Sequence, residues 1–63
     1  MSGARYKADL LARLEAAKDT IDRNVSQINV ENNTARDEID RIAFDMKAKI
    51  NQSISVIEEY QLM

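Results

Sequence analysis

The sequence predicts an all-α protein folded as an antiparallel helical hairpin, and three observations predict it. There is no Pro, and the only Gly is Gly3, so nothing after position 3 obligatorily interrupts a helix. The apolar residues fall into two blocks that each keep helical spacing, and no strand-like alternation competes. Between the blocks lies a run of residues that favour turns and caps.

The first helix is expected near residues 5–30. Its stripe is Leu10, Leu14, Ala17, Ile21, Val25 and Ile28. The steps are three or four residues, so Leu10 and Ile28 share one azimuth about five turns apart at about 3.6 residues per turn. The turn is expected at 31–34. Asn29, Asn32, Asn33 and Thr34 carry side chains that compete for backbone hydrogen bonds and weaken a helix interior. Thr34 is the expected N-cap, with Asp37 in the capping-box position. Asp37, Glu38 and Asp40 would then sit in the first turns, where the helix dipole favours negative charge. Asn32 or Asn33 is suited to a left-handed position there. The second helix follows near 35–60, with the stripe Ile39, Ile42, Ala43, Met46, Ile50, Ile54 and Ile57. The whole chain, 1–63, is then one helical domain.

A single long helix in a parallel coiled coil satisfies the same pattern. The stripe stays in phase through Asn32 and Ala35, and a buried Asn32 would set the register. A strict heptad started from Leu11 and Leu14 puts Lys18, Asn32, Lys49 and Ser53 in the core. Eleven-residue spacings fit better and imply a straight or right-handed supercoil.

Composition narrows function. A chain of 63 residues buries little apolar surface alone, and such scaffolds draw on disulfides, metals or oligomerisation. The absence of Cys and His removes the first two of these in their usual forms. Self-association remains, with a homodimer forming a four-helix bundle as the simplest solution. Its core would be Leu10, Leu14, Ile21, Val25, Ile28, Ile39, Ile42, Met46, Ile50 and Ile57. No cofactor, metal or catalytic residue is indicated. The leading segment Met1–Arg5 lacks a signal peptide's apolar core, and no apolar run approaches the roughly 18 residues of a membrane span. A cytoplasmic protein is expected, with itself and another protein as partners, and membrane and nucleic acid disfavoured.

Several residues stand outside the stripes. Phe44, the only Phe, faces outward and is the candidate contact for an outside partner. Val30 is placed to cover the tip of the hairpin. Ala8, Ala12 and Ala16 line the outer side of helix 1. Tyr6 and Tyr60 meet at the open end as an aromatic cap, where Leu62 and Met63 dock or fray. Asp9–Arg13, Asp19–Arg23, Asp37–Arg41 and Asp45–Lys49 are acid-before-base pairs at i,i+4.

The functional expectation is a non-catalytic interaction protein: a regulatory adaptor, an inhibitor or an assembly component. The alternative is a small nucleic-acid-binding bundle. In its general architecture the chain resembles small plasmid RNA-binding bundle proteins, with Arg5, Arg23 and Arg41 on outer faces. Phosphate binding needs clustered positive charge, whereas the net charge here is −2. The run Arg36–Asp37–Glu38–Ile39–Asp40–Arg41–Ile42 is similar to the first helix of helical chorismate mutases. Ala43 stands where those enzymes carry a second acidic residue, and helical periodicity alone generates the match. A membrane-surface helix has Lys7 and Lys18 in its favour, flanking the helix 1 stripe, and the acidic polar faces against it.

Overall fold

A computed structural model describes residues 3–60. Helix α1 spans Gly3–Gln27 and helix α2 spans Asn33–Glu59. The chain reverses between them, so the hairpin is the architecture. Its envelope of 50 × 17 × 8 Å is far shorter than the roughly 90 Å of sixty residues in one helix. Leu62 and Met63 lie outside the described residues.

The joint sits earlier than the sequence pattern suggests. Helix α1 stops at Gln27, not near 30, and the connection is 28–32. Its last turn is weakened from within. The Ser26 hydroxyl donates to the Arg23 carbonyl at 2.8 Å, and Ile28 N–H reaches only back to Val25 O at 3.2 Å. Both contacts are i to i−3, the tightened geometry of a terminating helix. Helix α2 is capped by Asn32, not Thr34. The Asn32 side-chain oxygen accepts from the N–H groups of Thr34 at 2.8 Å and Ala35 at 3.3 Å. Asn caps as well as Thr does, and taking it two positions earlier adds Asn33 and Thr34 to the helix. The first turn consequently holds no acidic residue; Asp37, Glu38 and Asp40 fall beyond the reach of the dipole. Asn32 is extended, with φ −84 and ψ 120, and among the described residues no positive φ occurs. A connection of this length reverses direction without a left-handed residue.

A cation from the other helix closes each helix C-terminus. Arg36 donates through Nη1 to the carbonyls of Val25 at 3.2 Å and Ile28 at 3.1 Å, at the end of α1. Lys7 donates through Nζ to the carbonyls of Glu58 at 3.3 Å and Tyr60 at 2.8 Å, at the end of α2. These terminal carbonyls have no intrahelical partner, and the dipole places negative charge there. The same two contacts fasten the hairpin at its turn and at its open end.

Two cross-helix bonds set the register between those ends. Lys18 donates to Asn51 Oδ1 at 2.8 Å, and Lys47 pairs with Asp22 at 2.6 Å. Moving up α1 by one turn moves down α2 by one turn, the mark of antiparallel packing. The half-buried seam of α1 is Leu11, Leu14, Lys18, Ile21 and Val25. That is the alternating four–three spacing that Lys18 makes look improbable in the sequence. Lys18 occupies its place by laying its methylenes along the seam and carrying its ammonium out to Asn51 and to Glu15 at 3.1 Å. Across from it run Ile39, Ala43, Lys47, Ile50, Ile54 and Ile57. Ala43, 5% exposed, is the one buried residue among those described. Its methyl is small enough to let the two helices approach there.

Candidate self-association face

Two helices side by side make one layer, and a layer has two flat faces. Stable domains ordinarily pack at least two layers around a core. Here the two faces differ sharply in chemistry.

The first face is apolar. A groove near the turn is lined by Ile21, Asn24, Val25, Ile28, Ile39, Ile42, Ala43 and Met46. Asn24 is its one polar side chain. The apolar surface continues toward the open end through Leu10, which shares the azimuth of Ile28, and through a shallow hollow of Gln52, Ser53, Val56 and Ile57. Ile42 is 58% exposed, and Leu10, Ile28, Met46 and Val56 are exposed as well. The physical cause is stripe width. Each helix carries apolar residues over more than the arc one neighbour can cover, so a single partner helix buries one flank and strands the other.

The second face is charged. It is lined by Glu15, Lys18, Asp19, Asp22, Phe44, Lys47, Ala48 and Asn51. Lys18 and Lys47 are engaged there with Glu15, Asn51 and Asp22. Phe44 rises from this face at 68% exposure, the highest of any large apolar side chain described.

The residues expected to form a self-association core therefore divide. Leu14, Ile21, Val25, Ile39, Ile50 and Ile57 are brought together, half-buried, along the seam of one hairpin. Leu10, Ile28, Ile42 and Met46 stay exposed, all on the apolar face. Leu11 and Ala43 belong to the seam although the expected core omits them. Leu11 was legible as the start of the four–three spacing, while Ala43 shows its role only once the helices are in register. Val56 and Asn24 are further members of the apolar face, and nothing in the periodicity singles them out.

The remaining features fall as follows. Val30 is half-buried within the turn, and Ala8, Ala12 and Ala16 are exposed along the outside of α1. Tyr6 and Tyr60 are both exposed at the open end, where the Lys7 contact to the Tyr60 carbonyl joins the two chain ends. Of the four expected i,i+4 pairs, Asp9–Arg13 forms at 3.1 Å. The other three do not form among the described residues. Arg36 instead pairs with Asp40 at 3.5 Å, and Asp22 is drawn across to Lys47. Local spacing alone did not weigh these cross-helix competitors. Among the described residues no helix is long and apolar enough to cross a membrane, and no three acidic side chains converge as a metal site would require.

No protein-family model, curated protein or solved structure matches this chain.

Proposed function

We propose that this chain is a non-catalytic helical assembly module. It pairs with a second copy through its apolar face, forms a four-helix bundle, and leaves its charged face outward for another protein. The observation that carries this reading is the exposed apolar face beside a nearly empty core. Leu10, Ile28, Ile42, Met46 and Val56 are in water, while Ala43 is the buried residue.

Area supports it quantitatively. The chain exposes 5205 Å². A compact monomer of 7.2 kDa would expose about 4,100 Å² by the usual scaling of surface with mass. The excess, about 1,100 Å², exceeds the roughly 800 Å² that one partner contributes to a standard interface. A second copy is the occupant that every molecule in solution has available. Closing two such layers face to face gives each stripe its missing flank.

The second face suits an outside partner. Phe44 remains exposed there whether or not the apolar face is closed, which makes it the anchor residue of choice. The nucleic-acid alternative gains no support, because Arg13, Lys18, Arg36 and Lys47 are each paired with a carboxylate. Clustered unpaired cations are what phosphate recognition needs. A cytoplasmic setting is part of the proposal, since the fold draws on neither disulfides nor metals.

Sedimentation equilibrium tests the central claim. The expected mass is twice 7.2 kDa at micromolar concentration. A single-copy mass across the accessible range would overturn it.

A further inference from the structure

Resting on that reading, we propose that the two hairpins lie head to tail. The dyad passes through Ala17, and the turn of one copy covers the open end of the other. The argument begins with the axial levels set by Lys18–Asn51 and Asp22–Lys47. At those levels the apolar face has two bulky ends and a small middle. Ile28, Ile42 and Met46 lie toward the turn, and Leu10 and Val56 toward the open end. Ala17 lies between them, at the azimuth of the face.

Two arrangements close this face with twofold symmetry. With the dyad along the hairpin axis, each α1 lies over the partner's α2 at the same level. Asn24 is then pressed onto Ile42 and Met46 of the second copy, and Lys49 comes over the small middle at Ala17. A carboxamide and an ammonium would be desolvated there against groups that cannot bond them.

With the dyad across the hairpin axis, each helix lies over its own copy running the opposite way. Asn24 comes level with Leu10 and within an arginine's reach of Arg13, whose guanidinium donates. Lys49 comes level with the hydroxyl of Ser53, and Met46 with Val56. Both polar groups on the face are matched, and the bulky end of one copy meets the open end of the other. The Ala17 methyls meet at the dyad, which permits close approach of the two α1 helices.

The chain has no Cys, so engineered thiols report position without background. Ala17→Cys is oxidised and run on a non-reducing gel, alone and mixed with Ser53→Cys. Head-to-tail pairing predicts that Ala17→Cys alone gives a covalent dimer. Its two Cα atoms would fall near the about 4.4–6.8 Å that a disulfide spans. In the parallel arrangement the two Ala17 positions are diagonal, about 12–14 Å apart for neighbouring helices about 8–10 Å apart. Cross-links confined to the mixture would overturn the head-to-tail arrangement, as would a dimer by native mass that gives no cross-link. A single-copy native mass for the unmodified chain would instead overturn self-association itself.

Discussion

Replacing Ile42 by Ala separates the stability of one hairpin from the affinity between two. Ile42 is 58% exposed in the single hairpin, so a monomer loses little when it is truncated. Ala also has the higher helix propensity, which leaves α2 at least as stable. In the dimer the same side chain is covered. Truncating a fully buried Ile to Ala costs about 2–5 kcal/mol. Roughly the exposed fraction of that remains to be gained on association, about 1–2 kcal/mol per copy once the range is scaled and kept conservative. The interface contains the residue twice, so the dimer should lose about 2–4 kcal/mol. At about 1.4 kcal/mol per tenfold, Kd should rise between about 30-fold and several hundred-fold. Sedimentation equilibrium on wild type, Ile42→Ala and Phe44→Ala reads this directly. Phe44 is on the opposite face, so its truncation should leave Kd within about twofold. Equal Kd values for wild type and Ile42→Ala would refute the assignment of the apolar face as the interface. A loss of affinity in Phe44→Ala equal to that in Ile42→Ala would show that the two faces had been exchanged.

Other perturbations test the hairpin itself by thermal melting followed by circular dichroism at fixed concentration. Asn32→Ala removes the cap of α2 and should cost about 1 kcal/mol. Asn32→Ser should restore most of it, and Thr34→Ala should stay within about 0.5 kcal/mol; the reverse ranking would return the cap to Thr34. Arg36→Met keeps the aliphatic stem but frees the Val25 and Ile28 carbonyls, a partly solvated loss of about 1–2 kcal/mol. At about 4–8 °C per kcal/mol for a domain of this size, the midpoint should fall by roughly 4–16 °C. An unchanged midpoint would mean that water caps α1 equally well. Ala43→Leu overfills the one tight place in the seam and should destabilise by about 1–3 kcal/mol. An increase in stability would show that the helices are too loosely packed there for Ala43 to matter.

Much of this molecule was legible in the sequence because helix formation and amphipathic periodicity are local. The uninterrupted helical spacing and the Asn-rich joint are properties of residues within a few positions of one another, and both helices appear where those patterns lie. The exact joint was not legible. Asn32 and Thr34 are both good caps, and the choice depends on where α1 stops. That in turn depends on Ser26 competing for its own backbone and on Arg36 reaching back from α2. The ion pairs fail for the same reason. Asp22 belongs to no i,i+4 pair in the sequence, yet Lys47 finds it across the hairpin.

By itself, then, the sequence determined two matched helices, each with an apolar arc wider than one neighbour can cover, and no disulfide or metal ligand to stabilise them. Tertiary structure decided which side of each arc becomes the seam. Leu11 and Leu14 turn inward and Leu10 turns outward because the register held by Lys7, Lys18, Arg36 and Lys47 rotates both helices together. Residues three or four apart on a broad stripe are nearly equivalent until a second helix breaks the tie. Only that rotation places Leu10, Ile28, Ile42 and Met46 on one face and Phe44 on the other.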